Sequence, residues 1–234
     1  MNNILTFKYI FKHADGKENV FTLDLNENTL SLVPKERTCF PDWVQLSHNQ
    51  CPNCKLDPQK HSNCPIAINV IDVIETYSKS LSYEEVLITC ETNMRTYSKK
   101  TSLQQGISSL MGFLMAASDC PVVSKLKPMV RYHLPFSTDV ETMYRVVSMY
   151  LVAQYFLLKE DKFPDIELKG LQKIYSEIDI MNRAFCERLK EVKIEDANLN
   201  AVVKLNTQGG IVSFLLSENL LDDLKIIFKT YLNE

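Results

Sequence analysis

The stretch Phe7–Leu25, FKYIFKHADGKENVFTLDL, decides the first part of the fold. Phe7, Tyr9 and Phe11 alternate with Lys8, Ile10 and Lys12, the period of two that sends successive side chains to opposite faces of a strand. Ala14-Asp15-Gly16-Lys17 is turn chemistry, and the alternation resumes from Val20 to Leu25. Asn26-Glu27-Asn28 supplies another turn, after which Leu30 and Leu32 continue the pattern. The reading is a three-stranded antiparallel meander that ends at Pro34.

From Pro34 to Cys64 the periodicity stops. This segment holds Pro34, Pro41, Pro52, Pro58, the single tryptophan Trp43 and four of the seven cysteines. Beyond it a helical period takes over. Pro65 suits the first turn of a helix, where its missing N–H costs nothing, and Ile66, Val70, Val73, Ile74 and Tyr77 form an inward stripe opposite Asn69, Asp72 and Glu75. Val86, Ile88 and Cys90 alternate with Leu87 and Thr89 as a strand, with Arg95 to Ser98 as its partner. Leu103, Ile107, Leu110, Met111 and Leu114 mark the next helix, in which Gly106 and Gly112 permit close packing. Thr138 and Glu141 have the spacing of a capping box before a helix striped by Met143, Val146, Val147, Tyr150, Leu151 and Leu157. Leu171, Ile174, Tyr175, Ile178, Phe185 and Leu189 trace another helix. Asn206 to Gly210 then reads as a break before helix resumes at Leu220, Leu224, Ile227 and Phe228.

The expectation is an α+β fold, a small antiparallel N-terminal sheet packed with a predominantly helical C-terminal bundle. It is read as one domain: residues 1–33 the meander, 34–64 a metal-binding loop, 65–100 a helix and strand pair, and 101–234 the bundle. A chain of 234 residues that is 45% hydrophobic can bury a core without disulfide help. A net charge of −3, with both signs mixed along the chain, argues against a nucleic-acid partner, which calls for a basic stripe. The first residues lack the apolar core of a signal peptide, and no apolar run reaches the ~18 residues of a membrane span. With an odd number of cysteines, a cytoplasmic, reducing setting is expected, in which clustered thiols signal metal rather than disulfides. A protein partner stays open.

Cys51-Pro52-Asn53-Cys54 is a C-x2-C pair, followed by His61 and Cys64 as C-x2-C-x6-H-x2-C. Two cysteines so spaced can curl both sulfurs onto one ion at ~2.3 Å, and His61 with Cys64 can supply the remaining corners of a tetrahedron. Spacing favours His61 as the local fourth ligand, with His48, Cys39 and Cys120 as other candidates. Zinc is the expected metal. The alternative is a [4Fe–4S] cluster, because Cys51, Cys64 and Cys120 are each followed by proline, a step that recurs in iron–sulfur ligand runs. Two functions follow: a regulatory or interaction protein with a metal-stapled loop, or an iron–sulfur or thiol-dependent redox enzyme or sensor using Cys120.

The stretches from Met115 to Pro121 (MAASDCP), Lys127 to Phe136 (KPMVRYHLPF) and Tyr150 to Phe156 (YLVAQYF) resemble an uncharacterised bacterial protein family of similar length. The resemblance covers most of the chain after the N-terminal strands. It implies that Cys51, Cys54, Cys64 and Cys120 belong to one recurring pattern, with Arg131 and His133 nearby. Lys55 stands where that pattern has a proline and Asp119 where it has a glycine, which alters the turn presenting Cys120. The resemblance carries no activity with it.

Catalytic signals are thin. Cys120 and His133 could pair as nucleophile and base, assisted by Asp119 or Arg131, although Cys120 as ligand or core thiol is the simpler reading. Cys90 and Cys186 fall on apolar faces as core residues, His13 lies at a strand end in solvent, and the methionines fill core positions. Glu84-Glu85 and Asp222-Asp223 read as solvated pairs. Phosphate-loop, zinc-protease and serine-hydrolase motifs are missing from the sequence.

Overall fold

The computed structural model describes residues 4–192, 196–217 and 222–232. It has an antiparallel sheet at the N-terminal side and helices after it, the expected α+β arrangement. Strands β1 (Ile4–His13), β2 (Glu18–Asn26), β3 (Glu85–Thr92) and β4 (Thr96–Ser102) stand in the order β2-β1-β3-β4. The alternation in Phe7–Leu25 sets the register. Phe7 faces Leu23 and Tyr9 faces Phe21 across one edge of β1, while Tyr9 faces Cys90 and Phe11 faces Ile88 across the other. All seven side chains are buried on one face, so each cross-strand pair adds to one apolar layer. The turn between β1 and β2 closes as expected: Gly16, at φ +86°, takes the left-handed conformation that glycine tolerates, and its N–H donates to the His13 carbonyl at 3.0 Å.

The third strand of the expected meander does not form. Leu32 makes only an isolated bridge to Leu25, because Leu30 adopts a left-handed φ of 57° and turns the chain away. The free edge of β1 is taken instead by β3, and the partner read at Arg95–Ser98 is β4, which runs on to Ser102.

Helix α1 (Pro65–Thr76) buries Ile66, Val70, Val73 and Ile74, and α2 (Leu103–Ala116) lies across the sheet. A Cβ on Gly106 would stand 1.8 Å from Ile88 Cδ1 and 2.8 Å from Phe11 Cε1, so the absence of a side chain there sets how closely α2 approaches β1 and β3. Short α3 (Lys127–Arg131) leads to α4 (Asp139–Lys159), whose capping box is present: Glu141 N–H donates to Thr138 Oγ1 at 3.2 Å and Thr138 N–H to Glu141 Oε2 at 2.7 Å. The stripe read for α4 holds only in its first half. Met143, Val146 and Tyr150 are buried, whereas Leu151 is exposed and Gln154 takes an inward position, its Oε1 accepting from Asp165 N–H at 2.8 Å.

Helix α5 (Lys169–Lys190) follows the expected stripe, and α6 (Asp196–Ser217) packs against both α5 and α2. The break expected at Asn206–Gly210 is absent, since α6 runs through it. Gly209 is buried, and the packing of α6 on α5 and α2 offsets the ~1 kcal/mol that each helical glycine costs. Of the later helical positions, Leu220 lies outside the described residues. Leu224 is in a short helix at Asp222–Lys225, and Ile227 and Phe228 lie in the 3-10 turn after it.

Candidate metal centre

Three backbone devices present the four cysteines. Cys51 and Cys54 flank a tight turn in which Cys54 N–H donates to the Cys51 carbonyl at 2.9 Å. Cys64 is the N-cap residue of α1, extended at φ −73° and ψ 122°, with Pro65 behind it. Its N–H donates to the Val44 carbonyl at 2.8 Å, which closes the ends of the loop against each other. Cys120 follows α2 in a turn held by Ser118, whose Oγ accepts from Cys120 N–H at 3.3 Å, and the N–H groups of Val122 and Val123 face its sulfur.

Cys51, Cys54, Cys64 and Cys120 line one small cavity of about 10 Å³. Its other walls are apolar (Leu46, Leu56, Ile66, Val122, Met181, Phe185 among them), and its single charged residue is Arg188. Cys64 and Cys120 are buried, and Cys51 and Cys54 are half-buried. Burial pushes the Cys51 thiol up to about 12, and the neighbouring Cys64, Cys120 and Cys54 add to the shift while Arg188 opposes it. Cys120 rises to about 11, again through burial first, against the pull of the Val122 and Val123 N–H groups. Cys51 and Cys120 therefore hold their protons at neutral pH. Among the described residues, no three His, Cys, Asp or Glu groups are arranged so that they could hold a metal ion as placed.

Arg188 is the residue that sequence reading missed. It is 1% exposed, with Nη1 donating to the carbonyls of Trp43 and Gln45 at 2.7 Å each and Nη2 reaching those of Leu46 and Asn49 at 3.4 Å. These four acceptors belong to the loop that carries Cys51 and Cys54. Arg188 Nε is buried with no hydrogen-bond partner, and among the described residues no carboxylate pairs with the guanidinium. Carbonyl dipoles satisfy hydrogen bonds without neutralising a cation, so a net positive charge lies beside the thiols. The signal was present: Arg188 falls three residues after Phe185 and seven after Met181, on the buried stripe of α5.

The other candidates lie elsewhere. His61 is exposed and is not part of the cavity wall. His48 Nε2 faces a Glu191 carboxylate oxygen at 3.0 Å, and Cys39 is exposed. Cys90 and Cys186 are buried, as expected of core thiols. His133 lines a different cavity, and its Nε2 is 2.5 Å from Tyr9 Oη, so the structure does not bring it together with Cys120. Asp119 is tied to Ser31 Oγ at 2.7 Å and Lys127 Nζ at 2.9 Å, and Arg131 is paired with Glu27 at 2.9 Å. His13, expected in solvent, is largely covered and bonds Asn19 Oδ1 at 3.0 Å. No described helix is long and apolar enough to cross a membrane.

The fold and this pocket define an α+β protein in which four cysteines from three separate backbone segments and one buried arginine share a single apolar chamber. The chain belongs to the family described as domain of unknown function DUF6901, whose model matches residues 5–229. Comparison with curated proteins and with solved structures gave no match.

Proposed function

We propose that this protein holds an all-thiolate metal centre, ligated by Cys51, Cys54, Cys64 and Cys120, and that the centre is a [4Fe–4S] cluster serving a redox-responsive or regulatory role. The observation that carries the reading is Arg188: among the described residues, a buried cation without a carboxylate, at the wall of a chamber whose other polar side chains are four thiols. Neutral thiols leave that charge uncompensated, whereas metal-bound thiolates supply the missing negative charge. The N–H groups facing Cys120 suit a ligating sulfur for the same reason.

Two features favour a cluster over one zinc. All four candidate ligands are cysteines, and three of them precede proline. Zinc, the metal expected from spacing, keeps one argument: a cavity of about 10 Å³ is the size of a single small body. With four cysteine ligands and no open coordination position, either centre would serve structure, electron storage or sensing rather than substrate binding. When bound, a cluster would supply one-electron chemistry. The chain's own residues bind it, shield it from water and set its charge.

Anaerobic purification followed by metal and sulfide analysis tests this. The expected result is a brown protein with about four irons and four sulfides per chain. Cys120→Ala loses the metal, and His61→Ala retains it. A colourless sample with one zinc, retained by Cys120→Ala and lost by His61→Ala, would replace the cluster with a local zinc staple. A well-folded, metal-free protein whose four thiols titrate freely sinks both.

A further inference from the structure

A second cavity, of about 170 Å³, opens between α2, α4 and α6, and its walls Ser109 and His133 reach Tyr9 of β1. Two cations line it from different helices, Arg145 on α4 and Lys204 on α6, and no Asp or Glu is among its walls. Neither cation is in an ion pair among the described residues. Arg145 is half-buried, and one of its nitrogens, Nη2, is held by the carbonyls of Met129 at 3.1 Å and Tyr132 at 2.9 Å, which fixes the guanidinium in place. The acid whose charge reaches it is Glu141, exposed at the N-terminus of α4 and engaged in the capping box.

The remainder of the wall divides into polar and apolar parts. Ser108, Ser109, Ser137 and Thr142 bring hydroxyls, while Phe113, Met129 and Leu205 supply an apolar side. His133 completes the wall as a neutral ring: burial and the nearby Arg145 charge lower it to about 3. Burial works against the Arg145 charge, and an anion bound in a half-closed space walled by cations offsets that cost. Ser109 is engaged by Tyr9 Oη at 3.0 Å and by Phe136 N–H at 3.3 Å, and Ser137 and Thr142 share a bond of 3.0 Å, so the two cations supply the main donors to a carboxylate or phosphate.

We infer that this cavity is a binding site for a small organic anion, with its carboxylate or phosphate between Arg145 and Lys204 and its apolar body against Phe113, Met129 and Leu205. The site is independent of the metal centre, since no cysteine lines it. Its volume suits a ligand below drug size.

Isothermal titration of the full chain with benzoate, phenyl phosphate, inorganic phosphate and the uncharged benzamide tests the inference, each taken to ~10 mM at matched ionic strength. Benzoate or phenyl phosphate should bind, benzamide at least about tenfold more weakly, and inorganic phosphate more weakly than phenyl phosphate. Which of the two organic anions is tighter identifies the headgroup. Lys204→Gln, which touches no backbone carbonyl, should keep the melting temperature and lower the affinity for the bound anion about tenfold. Arg145→Gln should abolish binding, but its loss also frees the carbonyls of Met129 and Tyr132, so Lys204→Gln is the deciding variant. Equal binding of benzamide, unchanged affinity in Lys204→Gln, or no binding of either organic anion overturns the proposal.

Discussion

The sheet and the cysteine loop are both well packed, and they are held by opposite means. Where α2 crosses β1 and β3, the seam is mostly apolar: Phe11, Ile88 and Ile107 are fully buried, Gly106 lets the helix down onto them, and Tyr9 Oη and Ser109 Oγ add one hydrogen bond at 3.0 Å. The loop of residues 34–64 has no regular period, and the structure orders it with anchors. Lys35 and Arg37 pair with Asp72 on α1 at 2.7 and 2.6 Å, Trp43, Val44 and Leu46 are buried, and Arg188 gathers four of its carbonyls. A seam built from many equivalent contacts loses little when one is trimmed. A loop hung on one guanidinium depends on that residue.

The largest effect should therefore come from Arg188→Met. It removes the cation and leaves up to four buried carbonyls without their donor, a loss on the order of 3–5 kcal/mol for a broken buried charge site. Thermal unfolding should drop sharply and metal content should fall with it. Arg188→Lys, which keeps the charge but cannot span four carbonyls, should recover only part. If Arg188→Met melts like the parent and keeps its metal, the contrast between seam and loop is wrong.

Between them in expected size is a pH effect rooted under the sheet. His133, 2.5 Å from Tyr9 Oη, has its pKa lowered to about 3, first by burial and then by Arg145. The unfolded chain takes up this proton near the ordinary value of ~6.5, so between there and about 3 the unfolded state is the more protonated. Stability from this group is thus complete above ~6.5 and declines as the pH falls, with a slope of up to about 1.4 kcal/mol per pH unit. His133→Gln should flatten the dependence of urea midpoints on pH over that window. An unchanged slope would mean that the imidazole is not held neutral.

The smallest effect belongs to the seam. In Gly106→Ala the new methyl meets the flexible end of Ile88 and the ring of Phe11, a cost of about 1–3 kcal/mol for overpacking, partly offset by the ~1 kcal/mol that alanine gains in a helix. A modest fall in melting temperature with metal content intact is the expected result. A loss of metal would show that seam and loop are not separate.

The same contrast explains what could be read from the sequence. Alternation in Phe7–Leu25 and the stripes of α1, α2 and α5 follow from burial of repeated positions, so they were legible residue by residue. The third strand of the meander was not, because Leu30 takes a conformation that a leucine side chain does not announce, and β3 arrives from more than seventy positions away to claim the edge of β1. The run through Asn206–Gly210 was hidden for a similar reason, since packing of α6 on α5 and α2 overrides local propensity. The cysteines themselves stood out by spacing. Their grouping with Cys120 rested on family resemblance, because local spacing favoured the exposed His61. Loop order had been assigned to a metal alone, yet Trp43, Val44, Leu46 and Arg188 already hold much of it.

Arg188 also sets an order of events during synthesis. Cys64 and Cys120 are 56 positions apart, and Arg188 comes a further 68 positions along the chain. At ~5–20 residues per second, the first three thiols wait several seconds for the fourth, and about as long again for the guanidinium that fastens their loop. A nascent chain in that interval offers a C-x2-C turn and the thiol at the start of α1 without the residues that enclose them. Assembly of the chamber is therefore a late step, reached only when α5 has been made, and under the proposed metal centre loading would be completed only after that point.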